Sequence, residues 1–133
     1  MRTSFLSAIA ALAASAVSTP IEPREVYATW DATDVTTYVS HIIIGAKFSL
    51  NVPAGYIDGA PGFDVVCDVD LVIHPGLQTC TGAPEGSTVQ AVYDISPPIT
   101  VYHTFGSTNV TGQSGDLSYN SDFTLDVTNI GTA

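Results

Sequence analysis

The 133-residue sequence predicts an all-β domain, an antiparallel sandwich or barrel of about six to eight short strands held by one disulfide. Apolar residues recur with period two, and no window sustains apolar spacing at three and four residues. The 11 glycines and 8 prolines also recur too often for long helices. With no helix to cross between parallel strands, the pairing is expected to be antiparallel, one face of each strand buried and the other solvated.

The chain opens on an expected export leader. Arg2 supplies a positive n-region, residues 5–16 form a short apolar run, and Ala16-Val17-Ser18 offers small residues for signal-peptidase cleavage. Residues 1–18 are read as a signal peptide and 19–25, with Pro20, Pro23 and Arg24, as a short leader tail or pro-peptide. Residues 26–133 are read as a single all-β domain. The apolar run is too short to span a bilayer, so the expectation is a secreted, extracellular protein without a membrane anchor.

The first strand is expected in residues 25–32, around the only tryptophan, Trp30. Residues 46–52 follow, with Ala46, Phe48, Leu50 and Val52 inward and Pro53 and Gly55 ending the run. In residues 63–71 every odd position is apolar and three of the four even ones are aspartate, which reads as a half-buried strand with Cys67 facing in. Residues 89–95 repeat the alternation and stop at Pro97-Pro98. Residues 99–105 and 123–130 complete the set, with a shorter strand expected in 115–119. A mixed fold would need a helix in 40–46 or between the cysteines, and both stretches are short for one.

All 13 acidic residues follow residue 18, where only Arg24 and Lys47 remain as bases, so the charge beyond the leader is 2 − 13 = −11. Such a surface repels nucleic acid and anionic membranes, and neither is expected as a partner. Cys67 and Cys80 are an even pair in a chain expected to cross an oxidising compartment, so they are assigned as a disulfide. It closes a loop of about 14 residues, for which chain entropy suggests about 3 kcal/mol of stabilisation. Asn109-Val110-Thr111 is an N-glycosylation acceptor, and its stretch is read as surface loop.

The carboxylates of Asp64, Asp68 and Asp70 project from one face of one strand, near neighbours about 6.8 Å apart. They are read as a solvated face that discourages edge pairing, with a partner surface as the functional alternative. Their spacing does not match an EF-hand loop. His41, His74 and His103 lack the spacing of a compact metal motif, and His103, alternating with Val101 and Phe105, reads as a core or rim histidine. Gly112-Gln113-Ser114-Gly115 lacks the spacing of a nucleophile elbow. Two carboxylates opposed across a sugar cleft are not evident, which leaves a glycosidase without support. Tyr56, Tyr93, Tyr102 and Tyr119 are candidates for a binding face. No enzymatic activity, cofactor or metal is expected.

The order of these features resembles the Alternaria major allergen family of small secreted fungal proteins, which includes allergens and plant-defence elicitors. The pieces are the tail ending in arginine, Thr29-Trp30-Asp31-Ala32-Thr33-Asp34-Val35, Lys47-Phe48-Ser49-Leu50-Asn51-Val52 and Phe63-Asp64-Val65-Val66-Cys67. They continue through Cys80, Ile99-Thr100-Val101 and the closing Asp122-Phe123-Thr124-Leu125-Asp126-Val127-Thr128. Members similar to the allergen carry a second disulfide toward the C-terminus, and this chain has no cysteine after Cys80. The archetype uses a further cysteine for a covalent dimer, so a monomer or non-covalent dimer is expected here. The resemblance implies an antiparallel barrel or sandwich and a non-enzymatic effector or elicitor role, binding a host extracellular (plant defence) protein. The alternative expectation is an extracellular binder of a small molecule or cell-wall carbohydrate.

Overall fold

The computed structural model describes residues 25–133, and the leader and its tail through residue 24 lie outside the described residues. Eight strands follow in order: β1 (Ala28–Ser40), β2 (Ile42–Val52), β3 (Phe63–Asp70), β4 (Gln78–Thr79), β5 (Ser87–Tyr93), β6 (Ile99–Phe105), β7 (Thr108–Ser114) and β8 (Phe123–Thr132). They form one antiparallel sheet in the order β3-β2-β1-β8-β7-β6-β5-β4 that curls into a nearly closed barrel, and no helix occurs among the described residues. The expected all-β class with one disulfide is therefore what the chain adopts.

Closure occurs at a seam between β3 and the residues after β4. Val66 and Thr81 exchange two backbone hydrogen bonds, each 3.0 Å, while Cys80 N–H donates to the Val89 carbonyl at 2.8 Å. An antiparallel hydrogen-bonded pair is flanked by close, non-bonded pairs with Cα atoms about 4.5 Å apart. Cys67 and Cys80 occupy that next position, with Cα atoms 4.5 Å apart, and their disulfide crosses the seam. One covalent bond thus fastens the two edges that a simple sheet would leave open.

The interior is the inward half of the alternation: Trp30, Phe48, Leu50, Val65, Val69, Val89, Ile99, Val101, Val110, Leu125 and Val127 are fully buried. Gly112 is required by this packing, because the Trp30 ring lies against β7 and a Cβ on Gly112 would fall 2.8 Å from Trp30 Cζ3. Gly45 is required likewise, since a Cβ there would run into Asp70 and the Val69 carbonyl on the neighbouring strand.

Several boundaries differ from expectation. β1 extends to Ser40 through a bulge, where Asp34 and Val35 stand opposite a single residue of β2 and Asp34 takes φ 53°. Beyond it β1 parts from β8, and Asn120 covers its free edge: Thr37 N–H donates to Asn120 Oδ1 at 2.9 Å, and Asn120 N–H donates to Thr37 Oγ1 at 3.1 Å. β2 begins at Ile42, four residues before the expected start at Ala46. The strand expected in 115–119 does not form; its place in the sheet is taken by β7, in the stretch read as surface loop. β7 is polar in sequence and becomes a strand because β6 and β8 supply ladders on both sides. Ile95, expected to close a strand, lies beyond the end of β5 and is 64% exposed.

Because the strands alternate in direction, four connections gather at one end and three at the other. The β1–β2 hairpin and the β3–β4, β5–β6 and β7–β8 connections share what we term the hairpin end. The opposite end is plugged by the β2–β3 loop, whose Tyr56 and Ile57 pack against the core.

Candidate functional site

At the hairpin end, β3 finishes at Asp70, and the chain turns through Leu71-Val72-Ile73-His74. The Asp70 side chain is buried, and its Oδ1 accepts the backbone N–H groups of Val72, Ile73 and His74 at 2.7, 2.5 and 3.2 Å, while Oδ2 lies 3.3 Å from His74 Nδ1. Burial raises the Asp70 pKa, but these hydrogen bonds outweigh it and hold the carboxyl below its ordinary value. Leu71 N–H also donates to the Ile44 carbonyl at 3.1 Å, tying the loop to β2.

With its backbone donors consumed inward, the loop presents its apolar side chains outward. Val72 is 70% and Ile73 75% exposed. Val39, Ile42, Leu71 and Ile95 are also exposed at this end, and together they make an apolar crown around the barrel rim. Between the hairpin and the β5–β6 loop, Ile42, Ile43, Ile95, Pro98, Asp116 and Leu117 enclose a depression of about 480 Å³. Tyr93 closes its floor, its hydroxyl donating to the Ile43 carbonyl at 2.8 Å. Asp94 and Asp116 flank the crown, and Lys47 is the sole Lys or Arg in the sequence of the described residues.

The structure divides the aspartate row read from the sequence. Asp64 is solvated on the outer face. Asp68 is half-buried, accepting a 2.8 Å hydrogen bond from the Tyr38 hydroxyl, whose pKa is pushed up to about 12 by burial and then by that carboxylate. Asp70 turns inward and does not belong to a solvated face, because the three amides of the following turn draw it in. Asp68, Asp70 and His74 bring ligand atoms within 4.8 Å of one another, a donor set of two carboxylates and an imidazole that suits a divalent cation. Asp70 already spends Oδ1 on backbone amides, so the cluster is built as a clamp for the loop.

The plug end holds the second concentration of functional groups. His103 is fully buried, its Nδ1 2.6 Å from the Tyr56 hydroxyl, with its ring against Phe63 and Phe105 at centroid distances of 4.5 and 4.9 Å. Burial lowers its pKa to about 4, so the imidazole is neutral at ordinary pH, and burial pushes the Tyr56 phenol up. His103 Nε2 and Trp30 Nε1 are buried without a hydrogen-bond partner. This histidine sits in the core, where the alternation with Val101 placed it.

The four tyrosines do not share a face. Tyr56 plugs one end, Tyr93 points into the barrel, Tyr119 is 66% exposed on the β7–β8 connection, and Tyr102 stands on the outer face of β6. There Leu77, Gln90, Val92, Tyr102, Thr104 and Asn109 line a shallow depression of about 410 Å³. Asn109 therefore lies on a strand beside a pocket.

Sequence reasoning missed the crown. It treated Leu71 as the inward end of a strand, yet Leu71 is past that end and 41% exposed. The available signal was the break in alternation itself, three consecutive apolar residues after Asp70 followed by His74-Pro75-Gly76. Compared with family models, with curated proteins and with solved structures, the chain finds no match in any of the three.

Proposed function

We propose that this chain is a secreted fungal effector or elicitor-like protein that acts without catalysis, by binding a host extracellular protein through the apolar crown. The observation that carries the reading is the loop of Val72 and Ile73, 70% and 75% exposed while the buried Asp70 holds its backbone. A loop already fixed in shape loses little entropy on binding, and an exposed apolar rim is costly to a protein that does not cover it. Asp94 and Asp116 beside the crown favour a partner whose contact patch is apolar at its centre and basic at its rim. The disulfide fits an oxidising compartment, which agrees with export through the leader.

The test is capture from plant extracellular fluid with wild-type protein and with Val72→Ser/Ile73→Ser, at low and high salt. One protein should be retained by the wild type, lost with the double variant and weakened by salt, while the melting temperature stays unchanged. Capture that ignores both the substitution and the salt would sink the assignment. The alternative, an extracellular carbohydrate binder, has one observation in its favour: the depression beside Tyr102, lined by Gln90, Thr104 and Asn109.

A further inference from the structure

That depression has a nearer occupant than a foreign sugar. We propose that Asn109 carries an N-linked glycan whose first N-acetylglucosamine lies in the pocket beside Tyr102, so that the chain's own sugar covers the outer face of β5–β7. The inference rests on the export reading, since the modifying enzymes work inside the secretory pathway.

Asn109-Val110-Thr111 has the acceptor pattern, with Val110 buried and Asn109 and Thr111 on the outward positions of β7. Asn109 Oδ1 is buried and unpartnered, which leaves Nδ2 as the amide atom on the solvent side. In the ladders Asn109 pairs with Thr104 on one side and Gly131 on the other. Nothing lies within 4 Å of where a Cβ on Gly131 would sit, so the amide is not crowded from β8. Tyr102 is the diagonal cross-strand neighbour of Asn109, at a spacing of about 7–8 Å that an aromatic ring spans.

The pocket's chemistry suits the occupant. Its volume of about 410 Å³ falls in the range of small-ligand sites. It combines one aromatic ring and the apolar Leu77 and Val92 with the amide and hydroxyl of Gln90 and Thr104, and it holds no carboxylate in a chain with 13. A neutral ring with one apolar face and several hydroxyls matches that lining. The donor is a polyisoprenoid diphosphate-linked oligosaccharide. Its anomeric C1–O bond breaks as C1–Nδ2 forms, the amide gives up one proton, and the lipid diphosphate leaves.

The experiment expresses the full chain through a eukaryotic secretory pathway and measures intact mass and melting of wild type, Asn109→Gln, Tyr102→Ala and both together. The expected result is one N-glycan, absent from Asn109→Gln. Tyr102→Ala should lower the melting temperature by about 3–6 °C in the glycosylated chain and by less than half of that in the Asn109→Gln background. Leu77→Ser, on an exposed loop, should show the same dependence more weakly. Secreted protein without a glycan at Asn109 overturns the proposal while leaving export intact, and chain retained in the cell unmodified overturns both. Equal Tyr102→Ala losses with and without the glycan overturn the seating. Saturable binding of a free chito-oligosaccharide by the glycosylated wild type would show the pocket vacant and have the same effect.

Discussion

The two ends of the barrel bury a titratable group each, in opposite ways. At the hairpin end Asp70 is buried as a charge with both oxygens engaged, and the result is a stiff loop that holds apolar side chains in water. At the plug end His103 is buried neutral with one nitrogen unpartnered, and the surrounding aromatic rings face inward under Tyr56. A satisfied buried group organises the surface above it, whereas a half-satisfied one costs stability and makes its end sensitive to acid. The contrast sets the proposed recognition surface at the hairpin end and predicts acid vulnerability at the plug.

The largest expected effect removes what both ends share. Cys67→Ala/Cys80→Ala opens the seam and should cost about 3 kcal/mol, lowering the melting temperature by more than about 10 °C and exposing both ends to protease. An unchanged melting curve would show that the Val66–Thr81 bridge closes the barrel unaided.

Acid should then separate the ends. The His103 pKa is lowered to about 4 in the folded protein, so only the unfolded chain takes up the proton as pH falls through about 6.5. Its contribution is complete above pH 6.5 and lost progressively between about 6.5 and 4, on the order of 2–3 kcal/mol. His103→Leu should flatten the melting profile over that window, and a slope that persists would place the acid-sensitive group elsewhere. Asp70 has a depressed folded pKa, so its contribution is present above about pH 4 and lost only below, as pH falls through the folded value.

Asp70→Asn keeps an acceptor but removes the charge, and should destabilise by about 1–2 kcal/mol. Amide exchange should accelerate at Val72, Ile73 and His74 and not at the plug, and uniform acceleration would mean that the loop is held by packing alone. The smallest effect on folding belongs to Val72→Ser/Ile73→Ser, within about 0.5 kcal/mol of wild type, because both side chains are already in water. A larger loss would show that they are core residues in solution.

Strand periodicity was legible where one face is buried and the other wet: residues 99–105 coincide with β6, and Cys67 and His103 face inward as their alternation requires. It failed where partners across the sheet decide. β7 reads Thr-Asn-Val-Thr-Gly-Gln-Ser and has almost no apolar signal, yet it is central between β6 and β8, with Gly112 admitting the Trp30 ring. The chain's own order of residues settled its all-β character, the inward cysteine and the acidic surface, because side-chain alternation and charge are local properties. Only the folded barrel decided that Asp70 leaves the aspartate row for the turn, that Asn109 meets a pocket, and that three distant connections form one apolar rim. Those outcomes depend on hydrogen bonds and contacts between segments far apart in the chain, which no single strand encodes.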